Sequence, residues 1–164
     1  MDKSILDQID YRKARLSDIK DMSPLVRTLA GDASYKEVRR RLKRMLLRPG
    51  YHIMVVEHQN QVVGLNILRE GLFLGADSPG LQSLSLVVDP GYRGQGIASF
   101  FMEKAVEKSS SDGFCQVWGL TQHKHLHEFY ESLGFTNTGT RFVIHTPPTG
   151  RLPLGRRVIR KLGF

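Results

Sequence analysis

The run Leu84-Ser85-Leu86-Val87-Val88-Asp89-Pro90-Gly91-Tyr92-Arg93-Gly94-Gln95-Gly96-Ile97-Ala98-Ser99 limits the architecture of this chain more than any other stretch. It opens apolar and β-branched, the pattern of a buried strand. Asp89-Pro90-Gly91 ends that strand, because proline has no N–H to give a ladder and glycine permits the turn. Gly94 and Gly96 follow on either side of Gln95, and then Ile97, Phe101 and Ala105 recur at helical spacing. A buried strand therefore ends in a glycine-rich loop that opens into a helix, which the pattern carries from Gly94 to about Lys108. The first turn of a helix leaves backbone N–H groups unpaired at the positive end of its dipole. With no side chains at Gly94 and Gly96, an anion such as phosphate can approach that backbone closely. The alternative is a glycine-rich turn that only connects strand to helix.

Three phosphate-cradling motifs share this outline. A P-loop ends in Gly-Lys-Ser/Thr after four intervening residues, and that ending is absent. The dinucleotide fingerprint is approached by Gly94-Gln95-Gly96-Ile97-Ala98-Ser99. However, Ser99 stands where glycine or alanine belongs, and Cys115 to Lys124 offers no acid for a ribose. The third pattern, Arg93-x-x-Gly96-x-Ala98 after a strand ending Val88-Asp89-Pro90, resembles the pyrophosphate loop of the GNAT acetyltransferase superfamily. One strand and one helix later, Phe129-Tyr130-x-x-x-Gly134-Phe135 is similar to a second segment of that family. The order also agrees from Tyr11-Arg12-x-Ala14 and Asp18 onward, so the resemblance covers nearly the whole chain.

Length and charge are compatible with that reading. A chain of 164 residues, 40% hydrophobic, suggests one domain, 1–164, with a sizeable core. No apolar run reaches the length of a membrane span. Met1-Asp2-Lys3-Ser4 leads into no signal-peptide core. The lone cysteine, Cys115, excludes an internal disulfide and a cysteine-based zinc site. A cytoplasmic setting and no membrane partner are expected. The formal net charge of +8 favours anionic partners: nucleic acid, acidic membrane or a highly phosphorylated small molecule.

Taken in order, Ile9 to Ala14 alternates as a strand. Ser23 with Pro24 at the first helical position reads as a helix start, and Gly31 as its end. A second helix begins near Ser34, with an apolar stripe of Tyr35, Val38, Leu42, Met45 and Leu46, and stops at Pro49-Gly50. Its opposite face is Lys36, Arg39, Arg40, Arg41, Lys43, Arg44 and Arg48. That face suits nucleic acid, but a solvated helix surface is the preferred reading. Tyr51 to Glu57 and Val62 to Arg69 form a hairpin around Gln59-Asn60. Leu81 to Val88 is the central strand. Phe114 to Leu120 is buried and follows a helix, so it should run parallel to that strand. Thr121 reads as the cap of a helix closed by Gly134. Asn137 to Thr146 and Arg156 to Leu162 read as the last strands.

The resemblance implies a GNAT fold: an α/β chain with a central mixed, mostly antiparallel sheet of six or seven strands, a splayed parallel strand pair and about four helices on both faces. It implies acetyl-CoA as co-substrate, lying between the strands of Leu84–Val88 and Phe114–Leu120. The backbone of Leu86, Val87 and Val88 would pair with the pantetheine arm. The N–H groups of Arg93, Gly94, Gln95, Gly96, Ile97, Ala98 and Ser99 would hold the pyrophosphate. Tyr130 matches the tyrosine that protonates the departing thiolate. His123 stands where many relatives carry an asparagine that contacts the cofactor.

The implied reaction is acetyl transfer to a primary amine of a small molecule, peptide or protein, by direct attack in a ternary complex. An amine attacks only when unprotonated, so a base or a water relay must take its proton. Val117-Trp118-Gly119-Leu120 offers no glutamate for that role. Glu70, at a strand end, is the candidate base, with Glu57, His123 and His125 behind it. The contending functions are a non-catalytic coenzyme A sensor or scaffold on the same fold, and a basic nucleic-acid-binding module. The latter rests on the basic helix and on residues 141–164, which hold no Asp or Glu. His123 and His127, four apart, could share a helical face as zinc ligands do, but no third ligand is apparent and no metal is expected. Cys115 reads as a small core residue. A monomer or a homodimer is expected.

Overall fold

The computed structural model describes residues 4–29, 31–72, 79–121, 124–139 and 142–146. The expected strand 156–162 lies outside them. The strands are β1 (Asp10–Lys13), β2 (Tyr51–His58), β3 (Gln61–Gly71), β4 (Gly80–Val88), β5 (Gln116–Gly119), β6 (Thr136–Asn137) and β7 (Phe142–His145). The α-helices are α1 (Ile19–Arg27), α2 (Tyr35–Leu46), α3 (Ile97–Ser111) and α4 (His127–Ser132). The strands are hydrogen-bonded in the order β1-β2-β3-β4-β5-β7-β6, with β4 and β5 parallel. This is the expected mixed, mostly antiparallel sheet of α/β type. No helix among the described residues is long and apolar enough to cross a membrane.

The chain divides into two compact units, residues 1–68 with 85–101, and residues 69–84 with 102–164. In the first, β1 pairs antiparallel with β2 from Asp10↔Glu57 to Lys13↔Met54. The β2–β3 hairpin turns at Gln59 and Asn60, whose φ angles of 50° and 64° match the right-handed twist of the flanking strands. Val56, Val63, Val88, Ile97 and Phe101 make a buried cluster under the start of α3. Gly64 permits this packing. A Cβ there would lie 3.0 Å from Val56 Cγ2, 3.1 Å from Phe101 Cε2 and 3.2 Å from the Val87 carbonyl oxygen.

The first helix differs from expectation. Pro24 sits inside α1 rather than at its start, and a 3-10 turn over Leu16–Asp18 leads into the helix. An interior proline leaves the carbonyl four residues back without its helical donor. Here that carbonyl belongs to Lys20, and the Tyr35 hydroxyl donates to it at 3.1 Å. Ser23, rather than capping, donates its hydroxyl to the Ile19 carbonyl. The second helix starts as expected, with Ser34 accepting from the Glu37 N–H at 3.2 Å.

Arg12 joins three elements of this unit. It donates to both carboxylate oxygens of Asp18, at 2.8 and 3.0 Å, and to Glu57 on β2. Asp18 also accepts from the Arg15 N–H at 2.6 Å. The hydrogen bonds from Arg12 hold the buried Asp18 carboxyl below its ordinary value of 3.8, against the opposing effect of burial. The same pairing raises the Arg12 guanidinium above its ordinary range.

In the second unit, β4 and β5 are in register over Leu81↔Val117, Gln82↔Trp118 and Ser83↔Gly119. Strand β5 pairs antiparallel with β7, and β7 with β6. The single strand expected over Asn137–Thr146 is two short strands around a turn. Gly139 takes a φ of 81° there and donates its N–H to Asn137 Oδ1 at 2.9 Å. Helix α3 runs on through Ser111, past its expected end, because Ser109 and Ser110 are buried with partners. The Thr146 hydroxyl donates to the Phe114 carbonyl at 2.7 Å, so in the 2.8 Å Ser109–Thr146 pair Ser109 is the donor. Strand β5 is shorter than the expected Phe114–Leu120. Cys115, half-buried, lies just before it, donating its N–H to the Pro79 carbonyl at 3.0 Å.

Candidate active site

Strand β4 outruns its parallel neighbour. Its pairing with β5 ends at Ser83↔Gly119, and five further residues, Leu84 to Val88, continue the strand. There β5 stops at Gly119, and Leu120 behind it is 63% exposed. Beyond Ser83 the register with β5 does not continue. Leu86 is half-buried there, while Val87 and Val88 are buried.

The loop after β4 is built by its own side chains. Asp89 Oδ1 accepts from the Gly91 N–H at 2.9 Å and caps a 3-10 turn over Pro90–Tyr92. Arg93 Nε donates to the Val88 carbonyl at 3.1 Å, tying the loop back to the strand end. Gln95 Nε2 donates to the Gly91 carbonyl at 3.3 Å. Gly94 and Gly96 take φ angles of 74° and 83°, a region that side chains disfavour. The space above them is open: a Cβ on Gly94 would meet nothing within 4 Å, and one on Gly96 only Leu6 Cδ1 at 3.6 Å.

Helix α3 starts at Ile97, three residues later than the sequence suggests. The Phe100 N–H bonds to the Gly96 carbonyl at 2.9 Å and is the first to close a helical turn. Ile97, Ala98 and Ser99 thus stand in the first turn, where N–H groups have no intrahelical acceptor. Ile97 is 1% exposed and holds the helix start in the core, while Arg93 to Gly96 are exposed. Two glycines in open space before an anchored helix start fit a bound pyrophosphate.

Two contributors were not singled out from the sequence. Asp89 shapes the loop, a role that Asp-Pro-Gly could have signalled as an Asx turn. His58 pairs its Nδ1 with the Tyr92 hydroxyl at 3.0 Å, joining the end of β2 to the 3-10 turn, and no sequence signal links residues so far apart.

Tyr130 lies on α4. That helix starts at His127 after a 3-10 turn over Lys124–Leu126, and its N-cap Leu126 makes no side-chain cap bond, so Thr121 is not its cap. Gly134, with a φ of 84°, ends it, and the Phe135 N–H returns to the Tyr130 carbonyl at 3.1 Å. The Tyr130 ring stacks on Phe142 with centroids 5.2 Å apart, and meets Phe135 edge-on at 5.8 Å. Its hydroxyl has no hydrogen-bond partner among the described residues. Burial raises the phenol above its ordinary value of 10.0, so it carries its proton at neutral pH.

Glu70 is exposed near the end of β3. Glu57 is bonded to Arg12. His127 packs its ring on Phe142 at 5.0 Å. His123 and the side chain of His125 lie outside the described residues. Among those described, no group of three metal-ligating side chains converges.

Comparison with known proteins concerns the chain and its fold. Residues 49–137, more than half of the chain, match the family model described as acetyltransferase (GNAT) domain. An uncharacterized N-acetyltransferase of Mycobacterium tuberculosis is 30% identical over 103 residues, 62% of this chain. The matched stretch spans 63% of that relative's own length. An acetyltransferase of Trypanosoma brucei superposes with a TM-score of 0.66 at 28% identity, over 79% of this chain and 93% of that one. The aminoglycoside N-acetyltransferase AAC(6')-Iy, solved with CoA, has a TM-score of 0.70 at 15% identity, over 79% and 89% of the two chains. At that identity the likeness is one of fold.

Proposed function

The chain belongs to the GNAT acetyltransferase family, and from that premise we propose that it transfers the acetyl group of acetyl-CoA to a primary amine of a small molecule, peptide or protein. The observation that carries the reading is β4 itself. It continues past its parallel partner and then delivers two exposed glycines with positive φ to the first turn of α3. The backbone of Leu86, Val87 and Val88, beyond the register with β5, suits an extended amide-bearing arm, and the loop from Arg93 to Ser99 suits the pyrophosphate. That one solved relative of this fold was captured with CoA supports the assignment of the co-substrate. His123 is a further proposed contact.

In the proposed reaction the amine lone pair attacks the thioester carbonyl carbon. The tetrahedral intermediate collapses with loss of the C–S bond, and the departing thiolate takes a proton from Tyr130. A desolvated phenol above its ordinary pKa is a stable proton reservoir at neutral pH. The ammonium proton leaves to Glu70 or to a water chain. No metal takes part in the proposal. A cytoplasmic monomer or homodimer is its expected form.

Calorimetry with acetyl-CoA, followed by thiol release across a panel of amines, tests the reading. Binding at micromolar cofactor and thiol release with at least one amine are expected. Gly96→Glu should abolish binding, because it forces a side chain onto positive φ and sets a carboxylate where phosphate would lie. Absence of binding at high micromolar acetyl-CoA refutes the proposal. Tight binding with no thiol release on any amine assigns the chain instead to cofactor sensing.

A further inference from the structure

We propose that the outward face of α2 is a docking surface for the phosphodiester backbone of nucleic acid. The sequence alone favours a solvated surface, and what changes the balance is how the charges are partnered. Val38 and Leu42 are 2% and 1% exposed, which fixes the helix rotation and turns the opposite face outward. Lys36, Arg40, Lys43, Arg44 and Arg48 are all exposed, and among the described residues none of their side chains has an ion pair or hydrogen bond. The only acid between Lys36 and Arg48, Glu37, is engaged with Arg41 at 2.5 Å. An ordinary surface helix sets acids three or four residues from its bases. Here the charge is left uncompensated, at a cost in self-repulsion that a polyanion would relieve.

The spacing fits a phosphate chain. Lys36, Arg40 and Arg44 recur every fourth residue of α2, so they form one row with about 6 Å between neighbours along the helix, and Arg48 follows just past its end. Arginine dominates the face, and its planar fork suits phosphate oxygens. A membrane fits less well. Interfacial helices insert an apolar face into the bilayer, whereas the apolar face of α2 is occupied by Val38 and Leu42 in the core, with Leu47 the lone strongly exposed apolar side chain of the segment. The inference does not depend on the acetyltransferase reading.

Fluorescence anisotropy tests it on the full chain, with labelled duplex DNA and single-stranded RNA of mixed sequence between 50 and 200 mM salt. Binding with a log–log salt slope of about −3 to −4 on duplex DNA is expected, one unit for each contact of the row. The double variant Arg40→Gln/Arg44→Gln should reduce that slope by about two and weaken binding at least tenfold. A charge-matched control, Arg27→Gln/Lys124→Gln, should stay within twofold. Both variants should keep the wild-type melting temperature, since all four positions are exposed. Equal loss in both variants would reduce the effect to net charge and overturn the proposal. So would no binding to either nucleic acid, or binding only to vesicles containing phosphatidylserine.

Discussion

At the scale of residues, Tyr130 shows how one environment sets a group's chemistry. Phe129, Phe135 and Phe142 surround its ring, so the phenol is desolvated while its hydroxyl keeps no partner among the described residues. Desolvation disfavours phenolate, and the proton stays available for a leaving group. Tyr130→Phe should leave acetyl-CoA affinity within about twofold, because the ring packing survives, and should lower turnover by about 10²-fold. Unchanged turnover would move the proton donation to water. The candidate roles of Tyr130, Gly94 and Gly96 were legible because they stand in short motifs. The His58–Tyr92 pair was not, because its members are 34 residues apart and meet only after β2 and the 3-10 turn have formed.

At the scale of elements, α1 and α2 show where local rules hold and where they yield. Ser34 caps α2 as its side-chain chemistry dictates, and Ser34→Ala should cost about 1 kcal/mol in denaturant unfolding. A loss under a few tenths would mean that water replaces the cap. Pro24 breaks the local rule for α1. Its missing N–H is offset by a hydroxyl from Tyr35, a residue of the following helix, and no pattern within α1 announces that donor. The same holds for α3, where Ser109 and Ser110 look like a helix end and are instead buried, Ser109 on Thr146. Strand β5 shows the converse. Its apolar run is longer than the strand, which spans only Gln116–Gly119, where its pairing with both β4 and β7 lies.

At the scale of the whole molecule, charge and topology carry the argument. Asp18, held below 3.8 by Arg12, contributes stability that is complete above the ordinary carboxylate range and is lost as pH falls through its lowered value. Asp18→Asn should therefore destabilise the chain by about 1–3 kcal/mol at neutral pH and flatten the loss of stability as pH falls below about 4. A parallel loss in both proteins would show that other carboxylates govern acid unfolding. The run from Leu84 to Ser99, by itself, determined a strand, a glycine loop and a helix start, since turn-forming residues and apolar spacing act over a few neighbours. The α/β class and the parallel sense of β4 and β5 followed from the order of such segments. Only the tertiary structure decided that β4 would outrun β5, that Pro24 could lie inside a helix, and that the side chains of Lys36, Arg40, Lys43 and Arg44 would have no acid partner among the described residues. Each depends on groups distant in sequence, and their pairing energies exist only once the chain has folded.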